Sequence, residues 1–539
     1  MTEFTSNFNL GYPELDDVAY PETIENTIKS LDSKLKYMYG NPKDWVNLVD
    51  KGADNTGNTD IYTVLNTNQS LSDVIYFPAG TYLLDTNLTL NSGKILLFDK
   101  GAVLKFVQDD IFLTGNKTII ECGVWKIFEF YSVMNLAGTW QAKSLYIENF
   151  GAIGDDSTDC TTFFQYAIDF SSLAGIKILL QCNTYLILDT LTIKNNMDFD
   201  SVTGNINLYE SHAKTTIHHN SNNENNDLFI SAAPSGEDQY ISGVTIKNIF
   251  INGGWNSRYC FVLTKPSYFL FENILIRNYF KEGLRINYSL NCVFNQIRIY
   301  LGAYTEGINC LHMLGDLSTT TTFSDCYLSS AYKAIIIEKG VAAGINFNNC
   351  IVESCVYGLD IYNNNVVNIV NMYTEDVPLT EVAASILQFG VNGEAELDYE
   401  KGSCNIFGGL WRGTNGTITS GSKIFEVDKC GCFNVFGVKV QRATSTISVT
   451  SNSKSVNIVG IMEEDNISNS CILTDGVKSN GVNYAGDAYN GFLYSLIGTT
   501  ANRPTTGRVG GMQYFDTTIY KPIWYVGGGY WADATGNYV

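Results

Sequence analysis

Two carboxylates, Glu353 and Glu375, stand at the same place in two successive copies of a short repeat, and Asp376 follows the second directly. Carboxyl groups held side by side can do acid–base work. Like charges in close apposition raise the pKa of one group, which suits a general acid, while its neighbour stays ionised as base or nucleophile. If the two copies are adjacent parallel strands, about 4.8 Å apart, the carboxyls fall near the ~5–5.5 Å of a retaining glycosidase pair or splay toward the wider inverting range. Tyr373 lies two residues before Glu375 on the same face, and Tyr327 takes the matching place two copies earlier; such phenols can stack on a sugar ring. Asp360 is a second-rank catalytic candidate, outward-facing, with Arg285 and Asn309 two or three copies away. Arg258, Arg277, Arg285 and Arg298 form a basic patch on the early copies, able to hold an anionic sugar of the kind a lyase acts on. The plainer alternatives are a charged rim on a solvated or intersubunit surface for the glutamates, and ion pairs with Glu272, Glu282 and Glu306 for the arginines.

The register that lines these residues up comes from a six-residue pattern between Val244 and Glu464. It reads apolar, any, Asn-like or Gly, apolar or small, any, apolar or small. The copies begin at Ile246, Phe271, Phe294, Phe323, Phe347 and Ile369, and three more carry Gly408, Gly437 and Gly460 in the third slot. Starts lie 25, 23, 29, 24, 22, 37, 29 and 23 residues apart, the period of a solenoid coil. Strand side chains alternate faces, so apolar slots one, four and six share a side only if the chain bends at slot three. Asn and Gly tolerate the left-handed backbone of such a corner, and stacked Asn side chains can bond along a ladder. A second strand follows each copy, as in Gly283–Ile286, Gly307–Cys310 and Gly358–Ile361. The expected class is all-β, a right-handed parallel β-helix; the alternative is an antiparallel sandwich with chance repeats. Outward slot five runs Phe250, Leu275, Arg298, Tyr327, Ile351, Tyr373, Leu410, Lys439, Met462. That mostly apolar stripe calls for covering by a partner chain or a sugar ring.

Composition narrows the class. Of 539 residues, 45 % are hydrophobic, 13 % aromatic and only 17 % charged, and the net charge is −21. Nucleic acid is excluded as a partner, because phosphate binding needs Lys and Arg. No basic-then-apolar leader follows Met1 and no apolar run approaches 18 residues, so synthesis in a cytoplasm without standard export, and no membrane insertion, are expected. Thirteen Cys include Cys310, Cys326 and Cys350 on inward slots, where thiols act as apolar filler. Cys430 and Cys432 lack a partner pair, and His218–His219 reads as a solvated loop, so neither metal nor cofactor is expected.

Four segments are expected. Residues 1–40 hold a polar arm and a short helix whose Ile24, Ile28, Leu31, Leu35 and Met38 form a two-heptad seam, expected as a short trimeric stalk, the alternative being a helix that lies on the next domain. Residues 41–145 make a short neck β-helix, 146–480 the main one, and 481–539 a Gly- and aromatic-rich β module with Trp524 and Trp531. The neck and main segments share a start: Ala53 matches Ala152, Thr59–Asp60 matches Thr158–Asp159, and Thr81–Leu83 matches Thr184–Leu186. A helix after Asp159 would cap the open end of the stack. Residues 377–402 form an acidic insertion with Glu381, Glu394, Glu396, Asp398 and Glu400.

Gly151-Ala152-x-Gly154-Asp155-x-x-Thr158-Asp159 resembles the opening motif of pectate-lyase-like β-helix proteins, common among bacteriophage tailspikes, although Asp156 stands where that motif has Gly. Asn502-Arg503-Pro504, Gln513–Thr518 and Lys521–Trp524 resemble a C-terminal signature of phage tail fibres and appendages. The resemblance implies a homotrimeric virion tail spike or appendage that binds a host surface glycan and often cleaves it, held to other tail proteins through its N-terminus. The alternatives are a non-enzymatic adhesin or structural fibre, and a cellular polysaccharide lyase.

Overall fold

The computed structural model of the chain describes residues 45–202, 215–221, 226–231, 239–300, 302–314, 318–338, 343–362, 366–377, 385–391, 402–415, 418, 421–449, 455–464, 469–473, 482–486, 496–503, 505 and 513–539, with the paired strands Glu3–Phe4 and Gly11–Tyr12. The heptad helix expected over Pro21–Met38, most of the 1–40 arm and the five insertion carboxylates lie outside the described residues. The chain is a right-handed parallel β-helix. It divides into two compact units: Met1–Ile153 with Thr162–Gln181 and Asn196–Phe199, and Gly154–Thr161 with Cys182–Asn195 and Asp200–Val539. Among the described residues no helix is long and apolar enough to cross a membrane.

The second unit contains the nine-copy repeat. Each coil supplies a strand to a first sheet, ending at slot two, and a strand to a second sheet, covering slots five to seven; a third sheet stacks eleven parallel strands from Leu191–Ile193 to Asn469–Leu473. The joint between the first two sheets is slot three. All nine residues there have left-handed backbone, φ running from 52° at Asn349 to 70° at Gly460, with Asn248, Asn273, Gln296, Asp325, Asn371, Gly408 and Gly437 between. This corner resets the side-chain alternation. Slots one, four and six of the first six copies, from Ile246 to Thr374, are consequently no more than 3 % exposed. Inside, Phe271, Phe294, Phe323 and Phe347 stack at 5.4, 4.9 and 5.0 Å between successive rings, and Cys310, Cys326 and Cys350 fill the gaps as buried free thiols. Asn273 Nδ2 donates to Asn248 Oδ1 at 2.8 Å, part of the corner ladder. A second corner, three residues past the start of a second-sheet strand, is also left-handed at Asn278, Ser330, Ser354, Asp376 and Arg442.

The first unit is itself a short parallel stack, with strands such as Val74–Phe77 beside Ile95–Phe98 and Gly80–Leu84 beside Ala102–Phe106. Both start motifs fold alike. Thr56 pairs with Thr81 and Asp60 with Leu83; Asp155 pairs with Thr184 and Asp159 with Leu186. In each, one carboxylate gathers the turn: Asp54 accepts from the backbone of Thr56, Asn58 and Thr59, and Asp155 from Ser157 and Thr158. These bonds, Thr56 foremost, hold Asp54 down at about 2. Helices follow both, α1 (Tyr62–Asn68) and α2 (Thr161–Ala174). Sequence reasoning cast α2 as the cap of the main stack. Its apolar face packs Tyr166 on Phe130 and Phe170 on Trp140 and Phe150, and sets Phe164 6.3 Å from Phe199. The tail segment forms a four-stranded sheet over Tyr514, Ile523, Tyr525 and Trp531. Its signature residues Arg503 and Asp516 make a 2.6 Å ion pair with the carboxylate fully buried.

The corner sets a stability expectation. Asn273→Ala puts an ordinary side chain at φ 54° and removes the ladder bond, for a loss of roughly 2–3 kcal/mol. Asn273→Gly keeps the backbone and loses about 1 kcal/mol. Unfolding rates in denaturant rank wild type, Gly, then Ala; equal rates for the last two would contradict a strained corner.

Candidate functional site

On the outer face of the second sheet the coil register places Glu353 directly opposite Glu375, as Ile351 is opposite Tyr373. Both glutamates are half-buried. Tyr327, one coil before Glu353, donates its hydroxyl to Glu353 Oε2 at 2.9 Å. Tyr373 donates to Glu375 Oε2 at 2.6 Å, Arg412 Nη1 reaches Glu375 Oε1 at 2.6 Å, and Asn415 Nδ2 reaches the same oxygen at 3.3 Å. These partners act on the ionisation of Glu375. The Tyr373 hydroxyl, then Asn415 and Arg412, hold it below the usual range against the opposing effect of burial. The same bond pushes the Tyr373 phenol up. Asp376 is turned away by its left-handed corner (φ 54°) and accepts Asn415 N–H at 2.9 Å. It closes a turn next to the pair.

The slot-five residues do form one column, paired coil by coil from Phe250–Leu275 through Arg298–Tyr327 to Lys439–Met462. They do not form one exposed stripe. Phe250 and Leu275 are buried with Tyr300 packed on them, and the Arg277 guanidinium lies 4.7 Å from the Phe250 ring centroid. Arg298 reaches Asn273 Oδ1 at 3.3 Å. The anticipated basic patch is thus split: Arg277 and Arg298 stand on the second sheet, Arg285 on the third, and Arg258 just before the third-sheet strand Tyr259–Thr264. There Arg258 holds Asp227 through two 2.8 Å bonds, and Arg285 pairs with Glu282 at 3.0 Å. Of the other expected acidic partners, Glu272 pairs with Lys247 instead, at 2.7 Å.

The third sheet also carries groups that sequence reasoning passed over. Its outer column runs Arg285, His312, Ile336, Asp360 in successive coils. Glu282 is 4 % exposed and accepts from His312 Nδ1 at 2.6 Å, while His312 Nε2 lies 2.9 Å from Glu338 Oε1. Burial works against a charged imidazole, but the carboxylates of Glu282 and Glu338 outweigh it and lift His312 to about 9. Asp360 is outward in register yet 3 % exposed, and Lys333 Nζ caps it at 2.6 Å. It is one half of a buried ion pair, a setting unlike the open acid expected. Coil register along the second strands brings Arg285 and His312 together. The structure also corrects His218–His219, which lie on a strand: His218 bonds Asp156 at 2.7 Å, and His219 is fully buried against Ser257 and held down at about 4 by desolvation.

No family model matches the chain. No curated protein matches it either. Solved structures to which it is similar include a tailspike of an Acinetobacter phage, at 12 % identity over 83 % of this chain and 86 % of that one, TM-score 0.42. Another is PfbA, a surface adhesin of Streptococcus pneumoniae, at 13 % identity over 61 % of this chain and 93 % of that one, TM-score 0.42. A third is an iota-carrageenase complexed to iota-carrageenan fragments, at 13 % identity over 62 % and 92 %, TM-score 0.41.

The His312 cluster makes stability depend on pH with a defined sign. Its folded pKa, about 9, lies above the ordinary 6.5, so its contribution is complete below pH ~6.5 and is lost as pH rises through ~9, roughly 3 kcal/mol in all. Thermal unfolding followed from pH 6 to 10 shows that decline in wild type, and His312→Gln flattens it. Parallel pH curves for the two proteins would remove the cluster from the stability balance.

Proposed function

We propose that this protein is a homotrimeric tail spike or appendage of a bacteriophage that binds a host surface glycan and hydrolyses it at Glu353 and Glu375. In this reading residues 1–40 attach to the virion tail, 41–145 form a neck, 146–480 present the glycan surface and 481–539 form the tip. The observation that carries the chemistry is the opposed placement of the two glutamates on adjacent coils. Strand spacing of about 4.8 Å suits a retaining pair better than the wider inverting one. Glu375, kept ionised by Tyr373, Asn415 and Arg412, attacks the anomeric carbon. The acid role then falls to Glu353, which gives its proton to the departing glycosidic oxygen; water, deprotonated by the same Glu353, later frees the sugar from Glu375. Tyr327 and Tyr373, each bonded to one of the carboxylates, orient them, and Arg298 lies in the same column as Tyr327 to meet polar groups of the chain. Arg258 and Arg285 extend contact at the third sheet.

One observation favours a second reading, a non-enzymatic adhesin: the Arg412–Glu375 ion pair also serves a surface that only binds. Purified protein incubated with host polysaccharide decides between them. New reducing ends, reduced by ~10²–10⁴-fold in Glu353→Gln and in Glu375→Gln with folding intact, support hydrolysis, and Asp376→Asn retains most activity. Unsaturated sugar products would replace the hydrolase with a lyase, and tight binding without turnover would leave the adhesin.

A further inference from the structure

The outer face of the first sheet changes character along the stack. Slot two, the outward residue just before each corner, reads Lys247, Glu272, Asn295, Ser324 and Asn348 in the first five copies, with Lys247 and Glu272 joined by an ion pair. In the next four it reads Val370, Phe407, Phe436 and Val459, paired in register. The last three are 44 %, 36 % and 42 % exposed. The outward residue two places earlier is an asparagine in each of these four copies. Their amides bond along the stack, Asn405 to Asn368 at 2.9 Å, Asn434 to Asn405 at 2.7 Å and Asn457 to Asn434 at 2.8 Å. The outward row before that is Val366, Ser403, Cys432 and Ser455. Among the described residues no Asp, Glu, Lys, Arg or His stands on this face over four coils, in a chain of net charge −21. The second sheet of the same coils carries Glu375, Arg412, Lys439 and Glu464.

The corner beside the apolar row changes with it. Asn248 holds the left-handed corner in the first copy and Asn371 still holds it after Val370, yet the corners after Phe407, Phe436 and Val459 are glycine. Among the described residues a Cβ on Gly437 would meet nothing within 4 Å, and one on Gly460 nothing nearer than 3.6 Å. Intrachain packing therefore does not call for a missing side chain at those two corners. A bare corner flanking an exposed phenyl row suits the close approach of another surface.

We propose that this face of copies six to nine docks against the same face of other copies of this chain, the stacks parallel and gathered with these faces around one common axis. Three features select that occupant. Two acidic chains repel wherever charged faces meet, and the described residues of this face carry no charge to oppose its copy. The row repeats once per coil, about every 4.8 Å, a pitch that the identical row of a parallel copy matches along its length. Asparagine amides both donate and accept, so the ladder is complementary to itself. A saccharide fits less well: Phe407 and Phe436 stack on each other at 5.5 Å with 15° between their planes, which turns their edges, not their faces, outward. The proposal rests on the self-assembly in the reading above, and is independent of catalysis.

The test is the mass of the full chain in solution. Wild type at micromolar concentration is expected at a multiple of 59.7 kDa, Phe436→Lys is expected to dissociate with at least a tenfold weaker association, and Asn295→Lys, on the same sheet three copies before the row begins, is expected to assemble as wild type. Circular dichroism and protease resistance establish that each variant folds. Val459→Cys, treated with a short bis-maleimide and mapped by mass spectrometry, is expected to join position 459 of one copy to the same face of another; it decides the matter if Phe436→Lys fails to fold. A monomeric wild type overturns both the interface and the assembly. An assembled wild type with an unaffected Phe436→Lys, or without the cross-link, overturns this face alone. Cleavage of soluble glycan by Phe436→Lys bears only on the glutamate pair.

Discussion

The structure depends on a single recurring constraint, the left-handed corner at slot three. A chain that alternates its side chains cannot place slots one, four and six on one side without it. Once the corner is made, every coil buries the same three positions and exposes the same intervening ones, and hydrogen bonding between coils brings equivalent residues into columns. Inside, that produces the phenylalanine stack from Phe271 to Phe347. Outside, it produces rows whose chemistry is set coil by coil. Asn273 on Asn248 shows how the corner is held: the side chain that tolerates the backbone also bonds to its neighbour above.

Columns make both ion pairs and sites from the same material. A carboxylate one coil away from a cation finds a partner at strand spacing, which is the origin of Lys333–Asp360 and Lys247–Glu272. Two carboxylates at that spacing repel unless other groups intervene. At Glu353 and Glu375 the intervening groups are two phenols, Arg412 and Asn415, and they act unequally on the pair. That inequality is what separates a candidate nucleophile from a candidate acid on a surface whose backbone is the same from coil to coil. The His312 cluster shows the opposite outcome: a buried glutamate and a second carboxylate close around one imidazole and keep it charged.

The three outer faces of the last four coils are therefore unlike one another although one backbone makes them all. Charge is spread over the second and third sheets and withheld from the first, where asparagine, phenylalanine and valine take the outward places. The exchange of Asn for Gly at the adjoining corners belongs to the same region, and costs the backbone nothing because both residue types accept positive φ.

Much of this was legible before any coordinates. Nine returns of one pattern, with Asn or Gly at its third place, determined the parallel β-helix, the inward and outward slots and the pairing of Glu353 with Glu375, because strand alternation and corner geometry are local and repeat with the chain. The common start of the two stacks was legible for the same reason. What the sequence could not decide was anything that depends on how far a side chain reaches or how it is covered. Arg258 and Arg285 look like one patch with Arg277 and Arg298 until the coil sets the first two on or just before third-sheet strands and the other two on the second sheet. Asp360 is outward by alternation and buried by its surroundings, and Phe250 is outward and lies under Arg277. Two of the partners of Glu375, Arg412 and Asn415, come from the next coil, across the acidic insertion. His312, one of four scattered histidines, becomes a charged centre only when residues 30 before and 26 after it arrive on either side. Local backbone preference is written residue by residue and can be read in order; burial and ionisation are properties of neighbours that only the folded stack brings together.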